Sequence, residues 1–205
     1  MCTRYFISSV DPYLLGICEE ALERQKRIFE TDNLKTDGEI FPNDIAPVLT
    51  KSRGGDIIAF PMQFGMYLPE TKKLILNARS ETADRLPMFA ESFKLRRCII
   101  PCSCYFEWQR KRSDLSGKAE KIKYAIQPEG ADITYLAGLY RLSEDGVPKF
   151  VILTRPPAEN IAFIHDRMPL IIPAQYRDEW IFTDDPGRFI NNFKPFEISY
   201  KRSIQ

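Results

Sequence analysis

The chain has 205 residues, 44% of them hydrophobic and 12% aromatic, a formal net charge of +1 and five cysteines. That size and composition support one domain, residues 1–205, with its own core, and a charge so near zero leaves any contact with phosphate to a local patch. The odd cysteine count without framework spacing argues for reduced thiols rather than a disulfide scaffold, and the sequence has neither a membrane-length apolar run nor a secretory signal, so an intracellular protein with no membrane partner is expected.

In chain order, Met1 to Ile7 reads as extended and turns at Ser8-Ser9. From Pro12 apolar residues recur at Leu14, Leu15, Cys18, Ala21, Leu22, Ile28 and Phe29, which predicts an amphipathic helix. Residues 41–48 read as an irregular, proline-punctuated segment leading to strands near Ile57–Phe60 and Met62–Leu68. Leu74–Glu81 is a predicted strand, and Ala83–Phe93 a predicted helix carrying Pro87. Strands are expected over Cys98–Trp108, Lys123–Gln127, Thr134–Leu142 and Phe150–Thr154, with a charged insertion, Gln109–Lys121, between the first two. A short helix at Ala158–Ile164, a strand at Leu170–Ile172, short helices near Tyr176 and Arg188 and an extended piece at Glu197–Lys201 complete the chain. The class is α+β, a single domain around a mainly antiparallel, barrel-like β-sheet with flanking helices. The densest basic stretch runs from Lys94, Arg96 and Arg97 through Arg110, Lys111 and Arg112 to Lys118, Lys121 and Lys123; taken alone it reads as solvated surface.

Cys2 stands out because loss of Met1 would leave a free amine beside its thiol. An α-amine of pKa about 7.7–8.0 is substantially neutral near physiological pH and can attack an aldehyde. The thiol can then close on the imine carbon to give a five-membered thiazolidine, a product no internal cysteine can form. Taken by itself, a chance cysteine at position two is the simpler explanation of this residue, because second-position cysteines are not rare. Asn77, Arg79 and Glu81, spaced by two, would share one strand face as a polar site wall with Arg79 suited to a phosphate, or as an exposed edge. Glu107 lies among Tyr105, Phe106 and Trp108, where desolvation would raise its pKa toward a value useful for moving protons; burial against an arginine is the commoner role for such a residue. Trp108 could stack on a base or fill core. His165 is the single histidine and the natural second proton-transfer group. Cys98, Cys102 and Cys104 share parity, but four spaced ligands for a structural metal are lacking, so no metal site is expected.

In this order, Met1-Cys2-x-Arg4-Tyr5, Asn77-Ala78-Arg79-Ser80-Glu81-Thr82, Arg96-Arg97-Cys98 through Pro101 to Phe106-Glu107-Trp108, Ala137-Gly138-Leu139-Tyr140 and Ile164-His165-Asp166-Arg167-Met168-Pro169 resemble the SRAP family, the SOS-response-associated peptidases that sense abasic sites. The resemblance implies Cys2 as nucleophile, Asn77 as the group that orients it, and Glu107 and His165 as proton carriers. It further implies Arg4 and Arg79 as phosphate contacts, Phe64 and Trp108 as residues that stack on DNA, no metal or organic cofactor, and a monomer. Thr3 departs from the family's usual glycine, Cys102-Ser103-Cys104 from an Ala-Asp-Gly-like stretch, Phe64-Gly65 from Trp-Gly and Tyr140 from tryptophan, while Phe196 to Tyr200 fits the closing strand only loosely.

Three functions follow. The leading one is covalent capture of abasic sites in single-stranded DNA through a thiazolidine at Cys2, a lyase-like crosslinking activity that shields the lesion. The second is a thiol autoprotease or peptidase using Cys2, and the third a noncovalent reader of single strands.

Overall fold

The computed structural model describes residues 2–68, 73–112, 119–192 and 197–203; Met1, residues 113–118 of the predicted insertion, and Phe196 lie outside them. Strand β1 (Arg4–Ile7) leads into helix α1 (Pro12–Phe29), whose start is set by Asp11: its carboxylate accepts from the backbone N–H groups of Tyr13 and Leu14, and Pro12 follows it. Glu30, with φ of 54°, ends the helix in the left-handed region.

The segment read as irregular is in fact two strands, β2 (Gly38–Ile40) and β3 (Ile45–Lys51). Proline does not break β3, because Pro47 lies opposite Pro61 of β4 (Ile57–Phe64), and its other edge meets the next strand only at Leu49 and Thr50. Two residues without N–H groups fit where neither is asked to donate. For the same reason β4 passes through Pro61 without the predicted interruption. The break falls at Gly65, with φ of 109°, before β5 (Met66–Tyr67).

The predicted strand Leu74–Glu81 divides into β6 (Leu74–Ile75) and β7 (Asn77–Arg79), and Glu81 lies in the turn beyond. Pro87 displaces the predicted helix at 83–93 to α2 (Ala90–Leu95). Cys98–Trp108 is two strands, β8 (Arg97–Cys102) and β9 (Cys104–Arg112), and β10 (Ala119–Pro128) reaches well into the predicted insertion. Strands β11 (Thr134–Arg141) and β12 (Lys149–Arg155) follow as expected. A 3-10 turn at Glu159–Ile161, β13 (Met168–Pro169), a second 3-10 turn at Ala174–Tyr176, α3 (Arg177–Phe182), α4 (Pro186–Asn191) and β14 (Ile198–Arg202) close the chain.

Two larger sheets organise most of these strands, and β5 and β6 pair as a small third one. One has the order β14-β10-β9-β1-β2; the other runs β11-β8-β3-β4-β12, with β12 pairing back onto β11 to close a ring, and β13 and β7 added along β12. Pairing is antiparallel except where β12 meets β4 and β7. The chain crosses from the ring to the open sheet at Ser103, whose N–H donates to the carbonyl of Phe6. Alternate residues of the ring strands serve two apolar clusters: Cys98, Ile100 and Cys102 join Cys2, Tyr5, Phe64 and Phe150, whereas Ile99 joins Leu49, Phe93 and Trp180. The crossing interrupts the predicted parity of the cysteines. Cys98 and Cys102 are buried and Cys104 is partly exposed on the other sheet; all five thiols are unpaired, and no group of metal ligands occurs among the described residues.

Arg97, predicted as surface charge, is a buried fastener. It donates to the carbonyls of Phe93, Lys94, Trp180, Ile181 and Thr183, and its guanidinium lies 5.6 Å from the Trp180 ring centroid. These carbonyls belong to the ends of α2 and α3, where helix dipoles favour a cation. Arg97→Met is expected to leave them unsatisfied and to cost about 3–5 kcal/mol, read as a lower urea midpoint at unchanged m value.

Candidate active site

The site forms where β1 runs antiparallel to β9. Arg4 is opposite Phe106 and Tyr5 opposite Tyr105, so Tyr5, Tyr105 and Glu107 point inward while Arg4, Phe106 and Trp108 point outward. Cys2, just before β1, has no exposed surface, and its thiol donates to the carbonyl oxygen of Arg4 at 3.6 Å. Burial pushes this thiol far above its usual range, and the nearby Glu107 carboxylate pushes it further.

Glu107 is 3% exposed. Desolvation raises its carboxyl above the ordinary carboxylate range, partly offset by the charge of His165 and by the backbone N–H of Trp108. Cys2 and His165 thus both lie within electrostatic reach of Glu107. His165 keeps 30% of its side chain exposed, with Nδ1 3.1 Å from the N–H of Arg167 and 2.7 Å from Oδ1 of Asp166. One nitrogen cannot serve both: the neutral ring accepts from Arg167 and carries its proton on Nε2, whereas the protonated ring donates to Asp166.

Asn77 reaches this interior by parallel pairing. It lies opposite Ile152, which packs in the cluster that contains Cys2, so the two side chains share a face. Its Oδ1, and the hydroxyls of Tyr5 and Tyr105, are buried with no hydrogen-bond partner among the described residues. Such groups each cost about 1–3 kcal/mol unless something polar meets them. The phenol of Tyr105 is pushed up by burial and then by the charges of Cys2 and Glu107, which puts it at the same site. Sequence reading gave Tyr5 and Tyr105 no role; their signal is pairwise and depends on register.

The remaining predicted residues are distributed differently. Arg79 is exposed beyond Asn77. Glu81 does not join Asn77 and Arg79 as a site wall: Arg167 grips it through two bonds of 2.6 and 2.8 Å and also donates to the carbonyl of Thr154 at 2.7 Å. The hydrogen bonds from Arg167 hold Glu81 below the usual carboxylate range. Phe64, read as a DNA-stacking residue, has no exposed surface. Its ring is stacked on Phe150 at 5.1 Å and meets Tyr5 edge-on at 5.9 Å, so it is core.

Arg4 and Trp108 lie on the opposite face of the sheet from Glu107. The Arg4 guanidinium sits 4.3 Å from the Phe41 ring centroid and 5.4 Å from that of Trp108, and forms an ion pair with Glu39 at 3.1 Å. Glu39 also binds Lys123 at 2.7 Å; partial burial works against its charge, but these two cations hold it below the carboxylate range. Lys123 stands opposite Trp108, Lys121 opposite Arg110 and Lys201 opposite Ala125, so this face combines aromatic rings with a row of cations. Lys123 and Phe106 were missed because alternation concentrates charge on one face only once the hairpin register is known.

The family model described as SOS response associated peptidase (SRAP) matches residues 1–200. The chain is 30% identical over 193 residues to the abasic site processing protein YoqW of Bacillus subtilis, covering 86% of this chain and 84% of that protein. It is 25% identical over 197 residues to the abasic site processing protein YedK of Escherichia coli, covering 92% and 82%. Among solved structures, a protein from Bacteroides thetaiotaomicron superposes with a TM-score of 0.72 at 22% identity, covering 98% of this chain and 91% of that one. A phage-related protein from Bordetella bronchiseptica gives 0.73 at 19% identity, covering 100% and 95%.

The environment of Glu107 has a thermodynamic signature. A carboxyl whose folded pKa is raised binds its proton more tightly in the folded state, so its contribution falls as pH rises from the unfolded value through the folded one. Glu107→Gln is therefore expected to melt at a higher temperature than wild type at pH 7–8, with the gap shrinking toward pH 4, in paired thermal melts.

Proposed function

The chain belongs to the SOS response associated peptidase family, and from that premise we propose that it captures abasic sites in single-stranded DNA covalently through Cys2 once Met1 is removed. The single observation that carries this reading is the grouping of the buried Cys2 and Glu107 with the partly exposed His165, with Asn77 facing the same interior. YoqW and YedK are named as abasic site processing proteins, which supplies the substrate class.

The chemistry follows from the protonation states. An abasic sugar is a cyclic hemiacetal; opening it takes a proton from the C1′ hydroxyl and delivers one to the ring oxygen, leaving an aldehyde. Glu107, protonated more readily than an ordinary carboxyl, serves as the acid, and His165 on the exposed side as the base. The neutral α-amine of Cys2 attacks the aldehyde, and the carbinolamine loses water to give an imine. The thiol, kept protonated by burial, then adds its sulfur to the imine carbon while its proton passes through Glu107 to the nitrogen. Aldehyde and aminothiol become thiazolidine plus one water. Asn77 Oδ1 and the Tyr5 and Tyr105 hydroxyls offer hydrogen bonds to the amine and to the opened sugar.

A peptidase would need the Cys2 thiolate as its first nucleophile, and the raised thiol weighs against it. In capture, the amine acts first and the thiol only closes the ring. Arg79 and the basic, aromatic face around Arg4 and Trp108 suit a single strand, whose bases are already free to stack. All the grouped side chains come from one chain, so a monomer suffices.

Intact mass measured after incubation with an abasic oligonucleotide tests this directly. Wild type is expected to lack Met1 and to gain the oligonucleotide mass less one water. Cys2→Ala, or a form that retains Met1, is expected to show no adduct in mass or on denaturing gels, and an adduct in either would sink the proposal.

A further inference from the structure

A second aromatic group lies beside Glu107 and takes no part in the chemistry above. Tyr124 of β10, Tyr200 of β14 and Phe163, two residues before His165, meet edge to face. The ring centroids are 5.8 Å apart for Tyr124 and Phe163, 5.9 Å for Tyr124 and Tyr200, and 5.3 Å for Phe163 and Tyr200. A satellite of the core would hide its rings, yet Phe163 is 47% exposed and Tyr200 42%.

Register gives the group a direction. Glu107 is opposite Tyr124, and Tyr124 is opposite Arg202, so the three side chains form one row on one face of β9, β10 and β14. At about 4.8 Å per strand, Arg202 stands roughly 10 Å from Glu107, with Tyr124 between them and Tyr200 beside Arg202 on the same face of β14. Its ion pair with Glu120, at 3.4 Å, joins side chains that are 63% and 53% exposed, a weak contact that a phosphate can replace. Proton-transfer groups, then exposed rings, then a cation is the order in which a sugar, the neighbouring base and its phosphate would be met.

We propose that Tyr124, Phe163 and Tyr200 form a stacking site for the nucleobase next to the abasic position, with Arg202 taking a backbone phosphate. The inference rests on the reading that the lesion occupies the site of Cys2, Glu107 and His165. It assigns the inner face of the open sheet to the nucleotide beside the lesion, separately from the Arg4 and Trp108 face.

The test uses the full chain and oligonucleotides carrying a tetrahydrofuran abasic analogue, which has no aldehyde and cannot crosslink, with 2-aminopurine placed on its 5′ or its 3′ side. Wild type is expected to quench 2-aminopurine on one side. Phe163→Leu and Tyr200→Leu, which keep apolar bulk but cannot stack, are expected to lose that quenching and to bind about 5- to 150-fold more weakly. Arg202→Gln, which leaves the rings alone, is expected to lower the salt slope of binding by about one. Quenching on neither side, quenching unchanged in both leucine variants, or an unchanged salt slope in Arg202→Gln would overturn the stacking site. Wild type is run in parallel with an aldehyde-bearing abasic oligonucleotide: an adduct there with unchanged quenching overturns this inference alone, and its absence overturns the reading beneath it.

Discussion

The pairing of β1 with β9 is the constraint on which the site depends. With Tyr5 opposite Tyr105, Glu107 faces the buried interior and Trp108 faces out. A slip of one residue would exchange them, placing an indole where the carboxyl now meets Cys2 and a carboxylate among the outer cations. The register is held from both sides. Inward, the Tyr5 ring packs against Phe64; outward, Arg4 lies near both Phe41 and Trp108 and is tied to Glu39. The contacts that gather cations and rings on the outer face are thus also those that keep the inner face aligned.

Burial then decides the chemistry. Inside, where charges are poorly solvated, burial pushes both Cys2 and Glu107 toward their neutral forms, and the Glu107 carboxylate makes ionisation of Cys2 harder still. A thiol and a carboxyl that both hold their protons more tightly than usual suit a reaction that begins at an amine and needs acid early. Outside, Glu39 is held ionised between Arg4 and Lys123. One sheet therefore carries buried groups that hold their protons tightly on one side and paired, partly exposed charges on the other, separated by the alternation of side chains along a strand.

Much of this was legible from residue types. The helix from Pro12, the strand identity of the segments around Glu107, and the unusual burial of that carboxyl all follow from local pattern, and the motifs single out Cys2, Asn77, Glu107 and His165 as candidates. What local pattern could not give is pairing. Pro47 and Pro61 look like strand breakers until they are seen opposite each other, and the cysteines seem to share a face until Ser103 carries the chain from one sheet to the other. Arg97 looks like surface because its partners are carbonyls of residues distant in sequence, which no composition reveals. Phe64 was assigned to DNA by resemblance, but the adjoining Phe150 and Tyr5 make it core.

The motif around Asn77 and the motif around His165 act as one unit because Arg167 joins them. Its guanidinium holds Glu81, two residues past the end of β7, and the Thr154 carbonyl of β12, while its backbone N–H meets His165. Asn77 owes its inward position to the pairing of β7 with β12, a short parallel contact of three residue pairs. So brief a ladder is weak alone, and a two-pronged, charge-assisted bond at its end supplies what the backbone lacks. The same residue that fixes the strand bearing the amide thereby also positions the imidazole. Glu81 and Arg167 tie the strand of Asn77 to the loop of His165, which accounts for the place of each in its motif through the geometry of its neighbours.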